Sequence, residues 1–149
     1  MSKVRFENHH STMEWPVRIS RFHFPGFATV IPLHYHDEIE ILLIENGTHT
    51  IGVNDKEFAA HPGDIVCINA KDLHYITSKK TSASYVSIMF LPQFIQSKYF
   101  DFLEKEYFQR IKSGELKFVN HITDDEKLPS IVELIVKIYS SKIKSYKFI

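Results

Sequence analysis

From Val17 to Leu91 the chain never keeps one character for long before turn-forming residues interrupt it, and this cadence constrains the fold more than anything else in the sequence. Asn46-Gly47 separates Ile39–Glu45 from Thr48–Val53, and Asn54-Asp55 separates that second run from Lys56–Ala60. Asn, Asp and Gly tolerate the left-handed backbone of tight hairpins, so two consecutive hairpins are expected. Val17–Phe24, Ile65–Ile68, His74–Thr77 and Ser84–Leu91 read as further strands, with Pro62-Gly63-Asp64 and Asn69–Asp72 as turns between them. Short strands at such close spacing predict a β-sandwich or barrel.

The β pattern stops at Pro92. Beyond it Phe100, Leu103, Tyr107 and Ile111 recur at helical spacing, with Gly114 as the residue that ends the helix. A second helix is expected from about Pro129 to Lys144. It carries two apolar stripes, Ile131, Leu134, Ile135 and Ile138 on one side and Val132, Val136, Tyr139 and Ile143 on the other. Two stripes need two partners. The barrel supplies one, and the stripe Val132, Val136, Tyr139 and Ile143 is expected to pair two subunits into a homodimer; the plainer alternative is a deeply buried helix.

A chain of 149 residues suits one compact domain, and 44% apolar with 24% charged residues is the composition of a folding chain. Eighteen basic residues balance eighteen acidic ones, so this segment lacks the basic surplus of a phosphate-gripping module. The lone Cys67 lies in the apolar run Ile65-Val66-Cys67-Ile68, which predicts a buried, inert thiol. No disulfide is available, as in a reducing cytoplasm. Residues 1–15 are too charged for an export signal, and the longest apolar run, Ile41 to Ile44, is far too short for a bilayer. A cytoplasmic location without membrane attachment is expected.

The chemistry concentrates in His34-Tyr35-His36 followed by Glu40 and Gly47. Alternate side chains of an extended strand share a face, so His34, His36, Glu38, Glu40, Leu42 and Ile44 should point one way, and Ile39, Ile41 and Leu43 the other. Burying an unpaired charge costs several kcal/mol, so two imidazoles and a carboxylate on such a strand must meet partners inside a cavity. By the same parity His74 pairs with Ile76 and Tyr85 with Ser87, which offers a second wall.

These residues resemble the cupin family. HxHxxxE followed by a glycine matches its first motif, and Pro62-Gly63-Asp64 with His74 ten residues after Asp64 matches much of its second, over roughly residues 26–91. The resemblance implies a jelly-roll barrel in which His34, His36, Glu40 and His74 are the positions that hold a divalent ion in metal-binding members. Zn, Fe, Mn or Ni would suit three imidazoles and a carboxylate. The second motif departs from the family at Asn69 and Lys71, where proline and glycine are usual, and at Ser78, where asparagine is.

Within the cupins, the run from Pro32 to Ile76, a strand ending in Phe90-Leu91-Pro92 and two following helices look most like the N-terminal domain of AraC-type regulators. That resemblance implies an N-terminal arm over residues 1–16, a barrel over 17–91, and a helical extension over 92–149. DNA would be contacted only through a C-terminal helix-turn-helix domain that this sequence does not contain. It further implies a small polar effector, such as a sugar or another metabolite, held by His34, His36, Glu40, His74, Tyr85 and Ser87, with no cofactor required.

Plainer readings stand beside these. The four motif residues could form satisfied core hydrogen bonds. His9, His10, His23, His49, His61 and His121 read as surface or turn residues, Lys79-Lys80 as a hairpin tip, and Trp15-Pro16 as packing or as a cap over the barrel mouth. No nucleophile–base arrangement and no glycine-rich phosphate loop is present. A stand-alone metal-dependent cupin enzyme, a dioxygenase or isomerase, is therefore the alternative to a sensor.

Overall fold

A computed structural model describes residues 4–8, 16–26, 29–78, 82–99 and 101–146, without the side chains of 29, 30 and 143–146. The readings of His9, His10, Trp15, Lys79-Lys80, Phe100 and the Ile143 side chain fall outside the described residues. Among the described residues, ten strands form two five-stranded sheets. They are β1 (Arg5–Phe6), β2 (Val17–Phe24), β3 (Thr29–Tyr35), β4 (Ile39–Asn46), β5 (His49–Val53), β6 (Lys56–Ala60), β7 (Ile65–Ile68), β8 (His74–Ser78), β9 (Ala83–Phe90) and β10 (His121–Ile122). One sheet runs β1-β3-β8-β5-β6 and the other β10-β7-β4-β9-β2, and every pairing is antiparallel except β1 with β3.

Of the two expected hairpins one forms: Asn54-Asp55 joins β5 to its partner β6, whereas Asn46-Gly47 carries the chain from β4 in one sheet to β5 in the other, because both strands find their partners elsewhere. Gly47 and Asn54 take φ of 70° and 54°, the left-handed backbone that glycine and asparagine reach at low cost. Residues 29–35, for which no strand was expected, form β3, because the chain bends at 37–38 and crosses from one sheet to the other. His34 and Glu40 thus belong to different sheets, not to one continuous strand. Parity survives within each piece: Leu42 and Ile44 join the core between the sheets with Ile51, Val53, Val66, Ile68, Ile76 and Tyr85, while Ile39 and Leu43 face outward.

That outer face of the second sheet is itself buried. Ile39, Leu43, Ile65, Cys67, Ile88 and Phe90 pack with Val132 and Val136 of α2 (Lys127–Tyr146). Ahead of α2 come a 3-10 turn Pro92–Ile95, a π-helical turn Glu104–Phe108 and α1 (Gln109–Ser113), which ends at Gly114 with φ 78°. Burial pushes the Cys67 thiol up to about 11, so it stays protonated and unreactive.

The two stripes of α2 are the reverse of the expected assignment. Val132 is buried, Val136 packs on the outer cluster, and the Tyr139 hydroxyl donates to the Val17 carbonyl at 3.4 Å. Ile131, Leu134, Ile135 and Ile138 are instead exposed, by 42–56%. Both stripes are apolar, so the helix's own periodicity could not say which one its docking against the barrel would use up.

His49 is a second correction. Expected at the surface or in a turn, it is instead fully buried, its ring edge-on to Phe24 and Tyr85. Its β5 parity with Ile51 and Val53 turns it inward. His23 and His61 are exposed as expected. His121 is half-buried, stacked on Phe58 and bonded to Asp64 at 2.8 Å. Among the described residues, no helix is long and apolar enough to cross a membrane.

Candidate functional site

Three histidines, a glutamate and a serine converge at one end of the space between the sheets. His34 of β3 and His74 of β8 are register partners with ring centroids 4.0 Å apart. His36, in the crossing between sheets, sets its ring 4.8 Å from His74 and 5.7 Å from His34. One ring nitrogen from each lies within 4.8 Å of the others, and all three side chains are buried.

Their orientation is fixed from behind. Nδ1 of His34 lies 2.8 Å from the Pro32 carbonyl, that of His36 is 3.1 Å from the Glu38 carbonyl, and that of His74 is 2.8 Å from the Asp72 carbonyl. A carbonyl only accepts, so each Nδ1 carries a proton and each Nε2 is left to face inward. Such backing of the far nitrogen is what orients histidines that bind metal.

Glu40, entering from β4 of the other sheet, places Oε2 3.4 Å from His36 Nε2 and 3.5 Å from His74 Nε2. Its Oε1 accepts the Ser87 hydroxyl of β9 at 2.5 Å. Burial opposes ionisation of Glu40, but the approach of His36 and His74 outweighs it and holds the carboxyl far below the usual range. Burial also opposes a charged His36, yet Glu40 outweighs it and the imidazole is raised above its ordinary value. His34 moves the other way, lowered chiefly by burial and then by His74. The centre therefore presents one carboxylate and inward-facing Nε2 atoms, a place for a proton, a cation or the hydrogen-bonding groups of a ligand.

The structure brings His34, His36, Glu40, His74 and Ser87 together. Tyr85 stands two residues before Ser87 on β9, its ring against Phe22, Phe24 and His49. Burial, with the charges of Glu40 and Glu7, raises its phenol, which stays protonated. Sequence reasoning missed Glu7, whose Oε2 lies 3.8 Å from His34 Nε2 because β1 pairs in parallel with β3 at Arg5↔His34. Glu7 lies in a stretch with no periodicity to read. Ser87 itself is flanked on β2 by its register partner Ser20.

The turn before His74 keeps its shape despite the motif departures. Lys71 adopts φ 68° where the family favours glycine, and Asp72 N–H donates to the Asn69 carbonyl at 3.0 Å. The Asn69 side chain bonds Asp72 and the backbone of Phe118.

A two-sheet jelly roll with HxHxxxE on its crossing strand and a facing histidine on β8 defines a cupin. In agreement, the cupin domain of Schizosaccharomyces pombe Cnp3 superposes with a TM-score of 0.50 at 13% identity, over 54% of this chain and 59% of that one. The chain belongs to the AraC-like ligand-binding domain family, whose model matches residues 14–140. Two Bacillus subtilis (strain 168) proteins, the uncharacterised HTH-type transcriptional regulators YdeC and YbfI, are each 33% identical to it, over 91 and 58 residues. Those matches cover 60% and 39% of this chain but 31% and 21% of the regulators, so the chain spans about a third or less of their length.

Proposed function

We propose that this domain is the effector sensor of an AraC-type transcription regulator, and that a small polar metabolite, a sugar among the candidates, binds at His34, His36, Glu40, His74, Ser87 and Tyr85. The observation that carries the reading is the inward convergence of three backed Nε2 atoms and one ionised carboxylate in a buried site, in a member of a ligand-binding family. Neutral imidazoles accept hydroxyl hydrogens, Glu40 accepts them more strongly, and Tyr85 and Ser87 add hydroxyl groups. The same donor set fits a divalent ion held by His34, His36, His74 and Glu40. When bound, such an ion would act as a Lewis acid, polarising an oxygen of the ligand.

Sensing requires that the ligand prefer one of two arrangements of the domain. The output, on this reading, passes to a second copy through the exposed stripe Ile131, Leu134, Ile135 and Ile138, and to DNA through the remainder of a longer regulator. Changing Leu134 and Ile138 together to Glu should give a folded monomer in sedimentation where the wild type is a dimer. A wild type that is monomeric at high micromolar concentration would sink the dimer.

The sensor itself is tested by metal analysis of untagged protein together with a thermal-shift screen of neutral polyols and small organic acids. Stabilisation by one class in the wild type, lost in His74→Ala, supports it. Stoichiometric, tightly held metal with substrate turnover would overthrow it in favour of a metal-dependent cupin enzyme.

A further inference from the structure

A cleft of about 400 Å³ lies outside the barrel, between the turns 37–39 and 69–71, the segment 91–93 and the end of α1 through Lys117. Its volume falls in the range of small-molecule sites. Its floor is apolar, supplied by Ile39, Ala70, Pro92, Ile111 and Leu116, and three lysines line it. Lys117 is neutralised by Asp72 at 2.9 Å, whereas Lys112 reaches only the neutral Gln96 amide, at 3.4 Å. Lys71 stands on the barrel wall and Lys112 on the helical wall, against one lining carboxylate, Asp37. Both are exposed, so an anion entering the cleft meets cationic side chains from two walls and a single carboxylate.

One wall of this cleft is the reverse side of the histidine site. The Lys71 N–H donates to the His36 carbonyl at 2.7 Å, and the carbonyl of the next residue, Asp72, accepts from His74 Nδ1. Lys71 itself is held at φ 68°, a backbone strained for a side-chain-bearing residue.

We propose that this cleft is a second ligand site, taking a small organic anion with an apolar body, and that its occupancy is coupled to the barrel through the turns that orient His36 and His74. The anion bridges Lys71 and Lys112 while its apolar body covers Ile39, Ile111 and Leu116. Coupling of this kind is reciprocal, so filling either site changes affinity at the other. The cleft's ligand differs in class from the polar metabolite of the barrel, and the site stands whatever the barrel binds.

Benzoate serves as the probe and benzyl alcohol as its neutral counterpart, in a backbone amide NMR titration of this chain. Saturable shifts are expected at Ala70, Lys71, Ile111, Gly114 and Lys117, with smaller ones at His36 and His74, and benzyl alcohol should bind about tenfold more weakly. The double substitution Lys71→Gly, Lys112→Gln should weaken benzoate about tenfold or more while leaving the spectrum folded, since glycine suits the φ at 71. As a second handle, Ser113→Trp, at an exposed lining position, should plug the cleft and abolish the response. No saturable shifts would overturn the proposal. So would shifts centred on Tyr85 and Ser87, or equal binding of acid and alcohol.

Discussion

The two ends of the barrel interior both bury histidine, and they treat it differently. At one end His34, His36 and His74 each tie Nδ1 to a backbone carbonyl and turn Nε2 toward Glu40. At the other, His49 is just as buried, but it is walled by Phe24 and Tyr85, with the backbone of Asn46 and Ser84 beside its ring and no carboxylate or second imidazole shared with it. Burial alone therefore does not mark a binding histidine. What marks it is a second interaction that fixes the tautomer and aims the free nitrogen at a shared point.

The contrast is broken or sharpened most strongly by metal affinity. His74→Ala should lower zinc affinity, read by calorimetry, by more than about 100-fold, because even outer partners of metal ligands are worth 10–100-fold. His49→Ala should leave it unchanged. If both variants lose zinc equally, the two ends are one site and the distinction fails.

Stability comes next, and here the roles exchange. His49→Ala leaves a cavity among Phe24 and Tyr85 and should cost about 2 kcal/mol in urea unfolding. His49→Phe fills the space with an apolar ring and should come within about 1 kcal/mol of the wild type. A His49→Phe variant as damaged as His49→Ala would mean that the imidazole nitrogens have a partner that matters.

A smaller effect lies in pH. Burial lowers the His49 pKa below its ordinary 6.5. The unfolded chain then binds the proton more readily than the folded one, so this group's contribution is full above about pH 6.5 and is lost as pH falls toward the folded value. Wild type should lose stability between pH 7 and pH 5 that His49→Phe retains. His34 is lowered in the same direction but is common to both proteins, so their difference isolates His49. Parallel pH curves would contradict the assignment. Smallest of all, Lys71→Gly relaxes the left-handed φ ahead of His74 and should change stability by less than about 1 kcal/mol, since relieved strain is offset by glycine's greater unfolded entropy. A loss of several kcal/mol would show that the Lys71 side chain, not its backbone, holds the turn.

Much of this was legible in the sequence because strands and turns announce themselves locally. Asn54-Asp55 placed the β5–β6 hairpin and Asn46-Gly47 a tight turn, though not that this turn changes sheets, and period-two alternation aimed Glu40, Leu42, Ile44, His74, Tyr85 and Ser87 inward. What stayed hidden depends on long-range packing. Strands β1 and β10 have two residues each, too few for any pattern, and exist because β3 and β7 offer them an edge. The π-helical turn 104–108 contains buried Glu104, whose Oε2 accepts the Ser97 N–H, a partner seven residues back that no spacing rule finds. His49 sat beside Gly47 and read as a turn, though its parity with Ile51 already pointed inward. On α2 the sequence holds two equivalent stripes, and only the docked position of Val132 and Tyr139 decides between them.

The crossing between Tyr35 and Ile39 has a mechanical meaning. His34 and His74 hang from one sheet, Glu40 and Ser87 from the other, and His36 rides one of the connections between them. Whatever occupies their centre becomes a rivet through both layers of the sandwich. Its grip resists the sheets sliding or parting, and the far side of the riveted second sheet is the surface on which α2 lies.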